Sequence, residues 1–101
     1  MDAVRFISAD QTTRAHAIAV TARAIELAGT FLEEEGFPGT LEKWVEEFVV
    51  TIQDGDERYF IDLDPISGEG HDGQFAIHKA TGELDRTSLT VGEVEPDPDE
   101  E

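Results

Sequence analysis

Histidines and carboxylates are the residues of this chain whose types are suited to acid–base chemistry. The three histidines, His16, His71 and His78, fall in three separate predicted elements. His71-Asp72 is the one adjacent histidine–carboxylate pair, and adjacency within a loop is weak support for a general base. The spacing shows no Ser-His-acid or lysine-centred constellation, and no glycine-rich stretch joins a strand to a helix as a phosphate cradle requires. The sequence therefore predicts a protein that is not an enzyme.

Metal and cofactor chemistry lack support in the same way. Asp62-x-Asp64 has the spacing that opens a calcium loop, but Ile66 stands at the third ligand position and no Glu closes the loop. The chain has no cysteine, which excludes thiol catalysis, thiolate metal sites and disulfide bonds. We predict no catalytic residue, no metal site and no cofactor.

Acidity is the strongest compositional feature. The 101 residues carry a formal net charge of −17, from 24 Asp and Glu against 7 Lys and Arg. Residues 1–32 are balanced, so 21 of the acids and only four of the cations lie beyond them. Such a field repels nucleic acid and anionic membranes and favours fast, salt-sensitive association with a basic partner. The alternative explanations are solubility, or a salt-adapted or high-GC proteome in which many proteins are acidic.

Segment composition indicates one domain and a tail. No apolar run reaches the roughly 20 residues that a membrane helix needs, and the N-terminus lacks a basic-then-apolar signal pattern, so we predict a soluble cytoplasmic protein. Residues 1–91 form the predicted domain, and it stays open whether residues 1–7 add an edge strand. Residues 92–101 hold six acids and two prolines, which predicts an acidic disordered tail.

A predicted β-hairpin positions most of the informative side chains. Two apolar runs of alternating character, 43–53 and 58–64, flank the acidic sequence DGDE at 54–57, and an Asp-Gly pair is a strong hairpin signal. A two-residue turn there places Val50 opposite Tyr59. One face of the hairpin is then a core, formed by Trp44, Phe48, Val50, Ile52, Tyr59, Ile61 and Leu63.

The other face of the hairpin mixes apolar residues with acids. In this register Glu47 lies directly opposite Asp62, and like charges at a cross-strand position destabilise a sheet. The chain has no further helix to cover the apolar residues beside them, which predicts an open patch. Such a patch suits a protein partner that is apolar at its centre and basic at its rim. The predicted partner-binding residues are Val45, Glu47, Val49, Phe60, Asp62 and Asp64 on this face, with Asp54, Asp56 and Glu57 in the turn.

One long amphipathic helix is predicted from about residue 10 to about residue 35. Ser8 and Asp10 compete as its N-cap, and Gly36 ends it. At about 100° per residue, one half of the helical wheel is apolar. That half holds Ala17, Ile18, Val20, Thr21, Ala24, Ile25, Leu27, Ala28, Phe31 and Leu32.

Two further strands complete the predicted sheet. They cover residues 74–78 and 83–91, joined by a tight turn at 79–82. This turn places Leu84 opposite Ile77 and requires a β-bulge further along the last strand. The predicted fold class is α+β, with one long N-terminal amphipathic helix packed on one face of a four-stranded antiparallel sheet.

After the Ala-rich helix come three stretches: WVEEFVVTI from Trp44, YFIDLD from Tyr59 and GQFAIHKATGEL from Gly73, the last with the order glycine, apolar residues and Lys-x-Thr-Gly-Glu. This succession resembles small bacterial immunity proteins of polymorphic toxin systems, which have a cystatin-like or PepSY-like helix-plus-sheet form. The similarity spans roughly residues 12–91. It implies a non-enzymatic protein that binds and blocks a toxin encoded beside it, and it brings no catalytic residues.

These observations together predict a non-enzymatic inhibitor, an immunity protein that binds and neutralises a cognate toxin or effector with a basic surface. Two alternatives stay open. One is a phage-type acidic protein that mimics nucleic acid and inhibits a host defence protein. The other is a small homodimeric domain of unassigned role. Neither nucleic acid nor a membrane is a predicted partner.

Overall fold

Three helices pack against one face of a five-stranded sheet in the computed structural model, which describes residues 4–7 and 10–94. The strands are β1 (Val4–Ile7), β2 (Phe48–Asp54), β3 (Arg58–Pro65), β4 (Gly70–His78) and β5 (Leu84–Val94), in that spatial order. The helices are α1 (Gln11–Leu27), α2 (Gly29–Glu34) and α3 (Leu41–Glu47). The α+β class is confirmed. The predicted four-stranded antiparallel sheet is wrong, because β1 adds a parallel edge strand beside β2.

The parallel pairing of β1 follows from the helices that separate it from β2. Val4 lies beside Val50 and Phe6 beside Ile52. Parallel neighbours need a crossover connection, and α1, α2 and α3 supply it. The strand that the sequence left open thus extends one edge of the sheet, and Val4 is buried in the core.

The helix predicted over residues 10–35 is interrupted. α1 ends at Leu27 and α2 begins at Gly29, and Ala28 between them has φ −101° and ψ 16°. Gly29, which follows Ala28, is the weakest helix former in this stretch, so an interruption beside it costs little helix stability. The prediction of a single long helix is therefore wrong.

The cap and the buried side of α1 agree with the sequence pattern. The side chain of Asp10 accepts a hydrogen bond from the backbone N–H of Thr13 at 2.8 Å, whereas Ser8 lies outside the described residues. Leu27 departs from the predicted apolar side, because it is 67% exposed at the end of α1. The buried residues of α1, Ala28 and α2 are Ala17, Thr21, Ala24, Ile25, Ala28 and Leu32.

The segment Lys43–Glu47 is helical, so its prediction as the start of a strand is wrong. The Thr40 side chain caps α3 by accepting a hydrogen bond from the third helical N–H. Leu41 and Trp44 lie three residues apart and share the buried side of the helix. The indole Nε1 of Trp44 donates to the carbonyl oxygen of Pro38 at 3.0 Å. One short helix therefore buries Trp44 and also satisfies its N–H group.

The hairpin of β2 and β3 is present, but its register differs from the predicted one. Val50 pairs with Leu63 and not with Tyr59. The backbone N–H of Gly55 donates to the carbonyl oxygen of Arg58 at 3.0 Å and closes a longer loop than the two-residue turn. The pairing has moved by an even number of residues, so every side chain within β2 and β3 keeps its predicted face.

The pairing of β4 with β5 confirms the predicted register and bulge. Leu84 lies opposite Ile77, and the register shifts further along the two strands. Ser88 Oγ accepts a hydrogen bond from the backbone N–H of Ala76 at 2.8 Å. The bulge displaces the backbone partner of this N–H group, and the Ser88 hydroxyl accepts its hydrogen bond instead.

The last strand runs to Val94 and includes the first residues of the segment predicted as a tail. Residues 95–101, the remainder of that segment, lie outside the described residues. Within the described ranges, no helix has the length and apolar character needed to cross a membrane.

An aromatic cluster joins the helices to the sheet. The ring of Trp44 meets the rings of Phe75 and Phe37 edge-on, at centroid distances of 6.1 and 6.0 Å. Phe37 is fully buried, although it lies in the connection between α2 and α3. Its ring lies against Gly73, where an added Cβ would sit 2.5 Å from a ring atom. Gly73 thus provides the space that Phe37 occupies.

Replacing Gly73 by Ala is expected to lower the free energy of unfolding by roughly 1–3 kcal/mol, because the methyl group displaces the Phe37 ring. Gly29→Ala is the control: a Cβ there meets no described neighbour within 4 Å, and alanine favours a helix by up to about 1 kcal/mol. Urea unfolding followed by the fluorescence of the single tryptophan measures both changes. Unchanged stability of Gly73→Ala would contradict the packing of Phe37 on Gly73.

The Thr21 side chain is fully buried on α1, and its hydroxyl has no hydrogen-bond partner among the residues that the structure describes. Burying an unpaired hydroxyl costs about 1–3 kcal/mol. Thr21→Val keeps the shape and removes this group, so it is expected to raise the free energy of unfolding by about 1 kcal/mol. Thr21→Ser keeps the hydroxyl and loses the methyl group, so this substitution is expected to lower the free energy of unfolding. The opposite order in urea unfolding would show that the hydroxyl is paired.

Candidate functional site

The face of the sheet turned away from the helices, named the outer face, carries rows of side chains that run across the strands. Its central strand is β3, and the described helices pack on the opposite face. One row consists of Ile7, Gln53, Phe60, Ala76 and Asp85. The next row consists of Arg5, Thr51, Asp62, Gln74 and Thr90.

A groove of about 290 Å³ lies on the outer face. Two large apolar side chains in its lining face solvent, since Phe60 is 47% and Ile7 is 49% exposed. Exposed apolar residues grouped in a concave surface are typical of an interaction site. The lining also includes Thr51, Gln53, Asp62 and Gln74.

Two contacts hold the turn end of this groove. The Phe60 ring packs so closely on the β2–β3 loop that a Cβ at Gly55 would sit 2.6 Å from it. Arg58 Nη1 lies 3.4 Å from Asp85 Oδ2 across the sheet. Hydrogen bonds from Thr87 hold the pKa of Asp85 below its usual value, and the positive charge of Arg58 lowers this pKa further. The cation at this rim of the groove is therefore already paired.

Asp62, Asp64 and Asp72 form an acidic cluster on the outer face. Asp62 and Asp64 are two positions apart on β3, and Asp72 lies on the adjacent strand β4. Residues two positions apart on a strand, or directly opposite on neighbouring strands, have backbones separated by about 5–7 Å. Burial raises the pKa of Asp62 above its usual value, and the charges of Asp64 and Asp72 raise it further. Over residues 4–7 and 10–94, no ion pair joins these carboxylates to a cation. The acidic cluster is thus unneutralised charge beside the exposed ring of Phe60.

Part of the predicted partner-binding set lies together on this surface. Val49, Phe60, Asp62 and Asp64 share the outer face, with Val49 opposite Asp64 across the β2–β3 pair. Their common face was predictable because alternate residues of a strand point to the same side.

Two predicted residues lie elsewhere, on α3. Val45 packs partly buried against the core, and Glu47 is exposed at the end of the helix. The predicted pairing of Glu47 with Asp62 is wrong, because Asp62 lies opposite Thr51. The unfavourable charges around Asp62 come instead from Asp64 and Asp72.

The predicted acids of the hairpin turn lie at the far end of the sheet. Asp54 forms a salt bridge with Lys79, and the Asp54 carboxylate raises the pKa of Lys79 by accepting its hydrogen bond. Asp54 is therefore engaged within the protein. Asp56 and Glu57 are exposed in the loop.

At the same end of the molecule, the side chains of His16 and Tyr59 form a hydrogen bond. His16 Nδ1 lies 2.6 Å from the hydroxyl of Tyr59, and Lys79 Nζ lies 4.8 Å from the centre of the Tyr59 ring. Burial raises the pKa of Tyr59, so the phenol stays protonated at neutral pH. The contact joins α1 to β3. No set of three or more His, Asp or Glu side chains in the described part of the chain is arranged to hold a metal ion.

Four outer-face residues were absent from the predicted partner-binding set. Ile7 depended on the strand that was left open. Asp72 stands in a glycine-rich run typical of a loop, yet β4 continues through it. Ser88 faces the groove beyond the bulge in β5, which the sequence did predict, but it was not assigned to the predicted set. Gln53 had a usable signal, since strict alternation along β2 places it on the outer face.

No protein-family model, no curated protein and no solved structure matches this chain significantly. The resemblance of the sequence to immunity proteins stays a prediction.

Asp62→Asn is expected to raise the free energy of unfolding at neutral pH by on the order of 0.5 kcal/mol, because it removes a carboxylate from among like charges. A raised pKa means that the folded protein holds the proton more tightly than the unfolded chain. The ionised Asp62 carboxylate therefore lowers the free energy of unfolding above its folded-state pKa. This effect is absent below the usual pKa of 3.8, where the carboxyl group is protonated in both states. The gain should disappear when urea unfolding is repeated at about pH 3.

Asp85→Asn is the matched control with the opposite sign. The folded-state pKa of Asp85 is lowered, so its ionised form stabilises the protein above the usual value, and this contribution is lost as the pH falls through the folded-state pKa. The substitution is expected to lower stability at neutral pH. If both substitutions stabilised the protein equally, net charge and not the surroundings of Asp62 would be responsible.

Proposed function

We propose that this chain is a non-enzymatic inhibitor, an immunity protein that acts in the cytoplasm by binding and neutralising a cognate toxin or effector with a basic surface. The observation that carries the proposal is the outer face, where the exposed side chains of Phe60 and Ile7 adjoin the unneutralised acidic cluster. The resemblance of three sequence stretches to small bacterial immunity proteins supports the same role.

The outer face combines the two contributions that protein association needs. Aromatic residues at the centre of an interface carry much of the binding energy, and Phe60 lies on the central strand. Acids beside them raise the association rate with a basic partner and disfavour acidic ones. A cation of the partner placed beside the acidic cluster stabilises ionised Asp62, whose charge is unfavourable in the isolated protein.

A second copy of this chain is a poorer occupant of the outer face. In a two-fold dimer made by stacking outer faces, the acidic cluster of each copy meets a surface of the same sign. The net charge of −17 on each chain adds long-range repulsion. A basic partner is complementary in both respects.

Co-expression with the toxin-like product of the neighbouring gene tests the proposal, with growth and co-purification as readouts. The parent chain is expected to restore growth and to bind. Phe60→Ala should weaken binding roughly 30-fold, the loss typical of a central aromatic anchor. Asp62→Lys should also weaken binding, because it places a positive charge against a basic surface.

Leu27→Ala and Glu26→Lys are the matched controls, because both residues are exposed on α1, on the other side of the protein. Leu27→Ala reproduces the loss of apolar area in Phe60→Ala, and Glu26→Lys reproduces the change of charge in Asp62→Lys. Both controls should leave binding and growth unchanged. Growth rescue that survives both outer-face substitutions would contradict the proposal. Loss of partner binding at moderate salt, together with competition by duplex DNA, would favour the nucleic-acid mimic instead.

A further inference from the structure

Phe60 differs from two other partly exposed phenylalanines in what lies over its ring. The guanidinium of Arg14 lies 5.3 Å from the ring centre of Phe6, and that of Arg86 lies 5.0 Å from the ring centre of Phe31. No cation of the described segments lies over Phe60, although its side chain is the most exposed of the three. The chain therefore covers Phe6 and Phe31 with its own arginines, whereas the Phe60 ring, which contacts the β2–β3 loop at Gly55, is left uncovered by any described cation.

Carboxylates lie next to the uncovered ring. Asp62 follows Phe60 by two positions on β3, shares the outer face and lines the same groove. Asp64 and Asp72 are close enough to disfavour its ionisation. A flat aromatic surface beside concentrated negative charge fits a cation that can stack and donate hydrogen bonds at once.

The nearest cations of the chain do not fill this position. Arg58 lines the groove, but it is paired with Asp85. Arg5 is separated from Asp62 by Thr51 in the same cross-strand row, and the two form no ion pair in the structure as described. Among the described residues, the position over Phe60 and beside Asp62 is therefore without a cation.

We propose that the groove over Phe60 receives an arginine side chain of the basic protein partner, with its guanidinium stacked on the ring and hydrogen-bonded to Asp62. This inference rests on the proposed function, because it names the group by which the partner is recognised. Arginine fits better than lysine, since its planar, weakly hydrated head group stacks on a ring while its N–H fork binds a carboxylate. Gln53 and Gln74 provide side-chain oxygens for the remaining donors.

Titration with blocked tetra-arginine and tetra-lysine peptides, followed in the amide NMR spectrum of the isotope-labelled chain, tests this site. Tetra-arginine is expected to bind roughly two- to fivefold more tightly than tetra-lysine, the preference that one exposed cation–ring contact supplies. The largest shift changes are expected at the amides of Phe60, Asp62 and Gln74.

Variants separate the two contacts. Phe60→Leu keeps apolar bulk and removes the ring, so it should abolish the preference for arginine. Asp62→Asn is nearly the same size and should weaken the binding of both peptides. Leu27→Ala should change neither affinity. The amide spectrum of each variant shows whether it is folded.

Equal affinity for the two peptides, an arginine preference that survives Phe60→Leu, or shift changes confined to other acidic surfaces would overturn the site. None of these results decides the proposed function, which growth rescue tests through Phe60→Ala and Asp62→Lys. Conversely, an arginine preference that requires Phe60, together with growth rescue unaffected by either Phe60→Ala or Asp62→Lys, would retain the groove and reject the proposed function.

Discussion

The contact of Trp44 with Phe37 and Phe75 is the interaction on which the arrangement of the protein depends. It joins α3 to β4, and the carbonyl of Pro38 satisfies the indole N–H that this burial removes from water. The space at Gly73 admits Phe37 to the same cluster. These contacts hold α3 on the same side of the sheet as the buried residues of α1 and α2, and the other side of the five-stranded sheet carries the groove and the acidic cluster.

The composition of the outer face is unlike that of a sheet buried on both sides, where strands are apolar throughout. Phe60 on the central strand is half exposed, and Asp62 two positions later is ionised only against its own burial and two neighbouring acids. Local conflicts of this kind lower stability and are typical of positions retained for function. A basic partner would convert the conflict into a favourable contact.

Acidity acts at two scales in this protein. The net charge of −17 sets long-range attraction and repulsion, and it acts whatever the exact position of each acid. Local placement is selective: Lys79 pairs with Asp54 and Arg58 with Asp85, whereas Asp62 has no cation among the described residues. The hypothesis of specific recognition therefore rests on the position of Asp62 beside Phe60, and the net charge contributes mainly to the rate of encounter.

The sequence by itself determined which side chains of β2 and β3 share a face, because the period of a strand depends only on local order. Phe60 and Asp62 therefore fall on the same face in the predicted and the observed register. Tertiary structure decided the strand number, the helical state of Lys43–Glu47 and the partner of Asp62. Each depends on contacts between distant segments, namely the pairing of β1 with β2, the burial of Trp44 and the loop closed by Gly55, and local patterns do not encode such contacts.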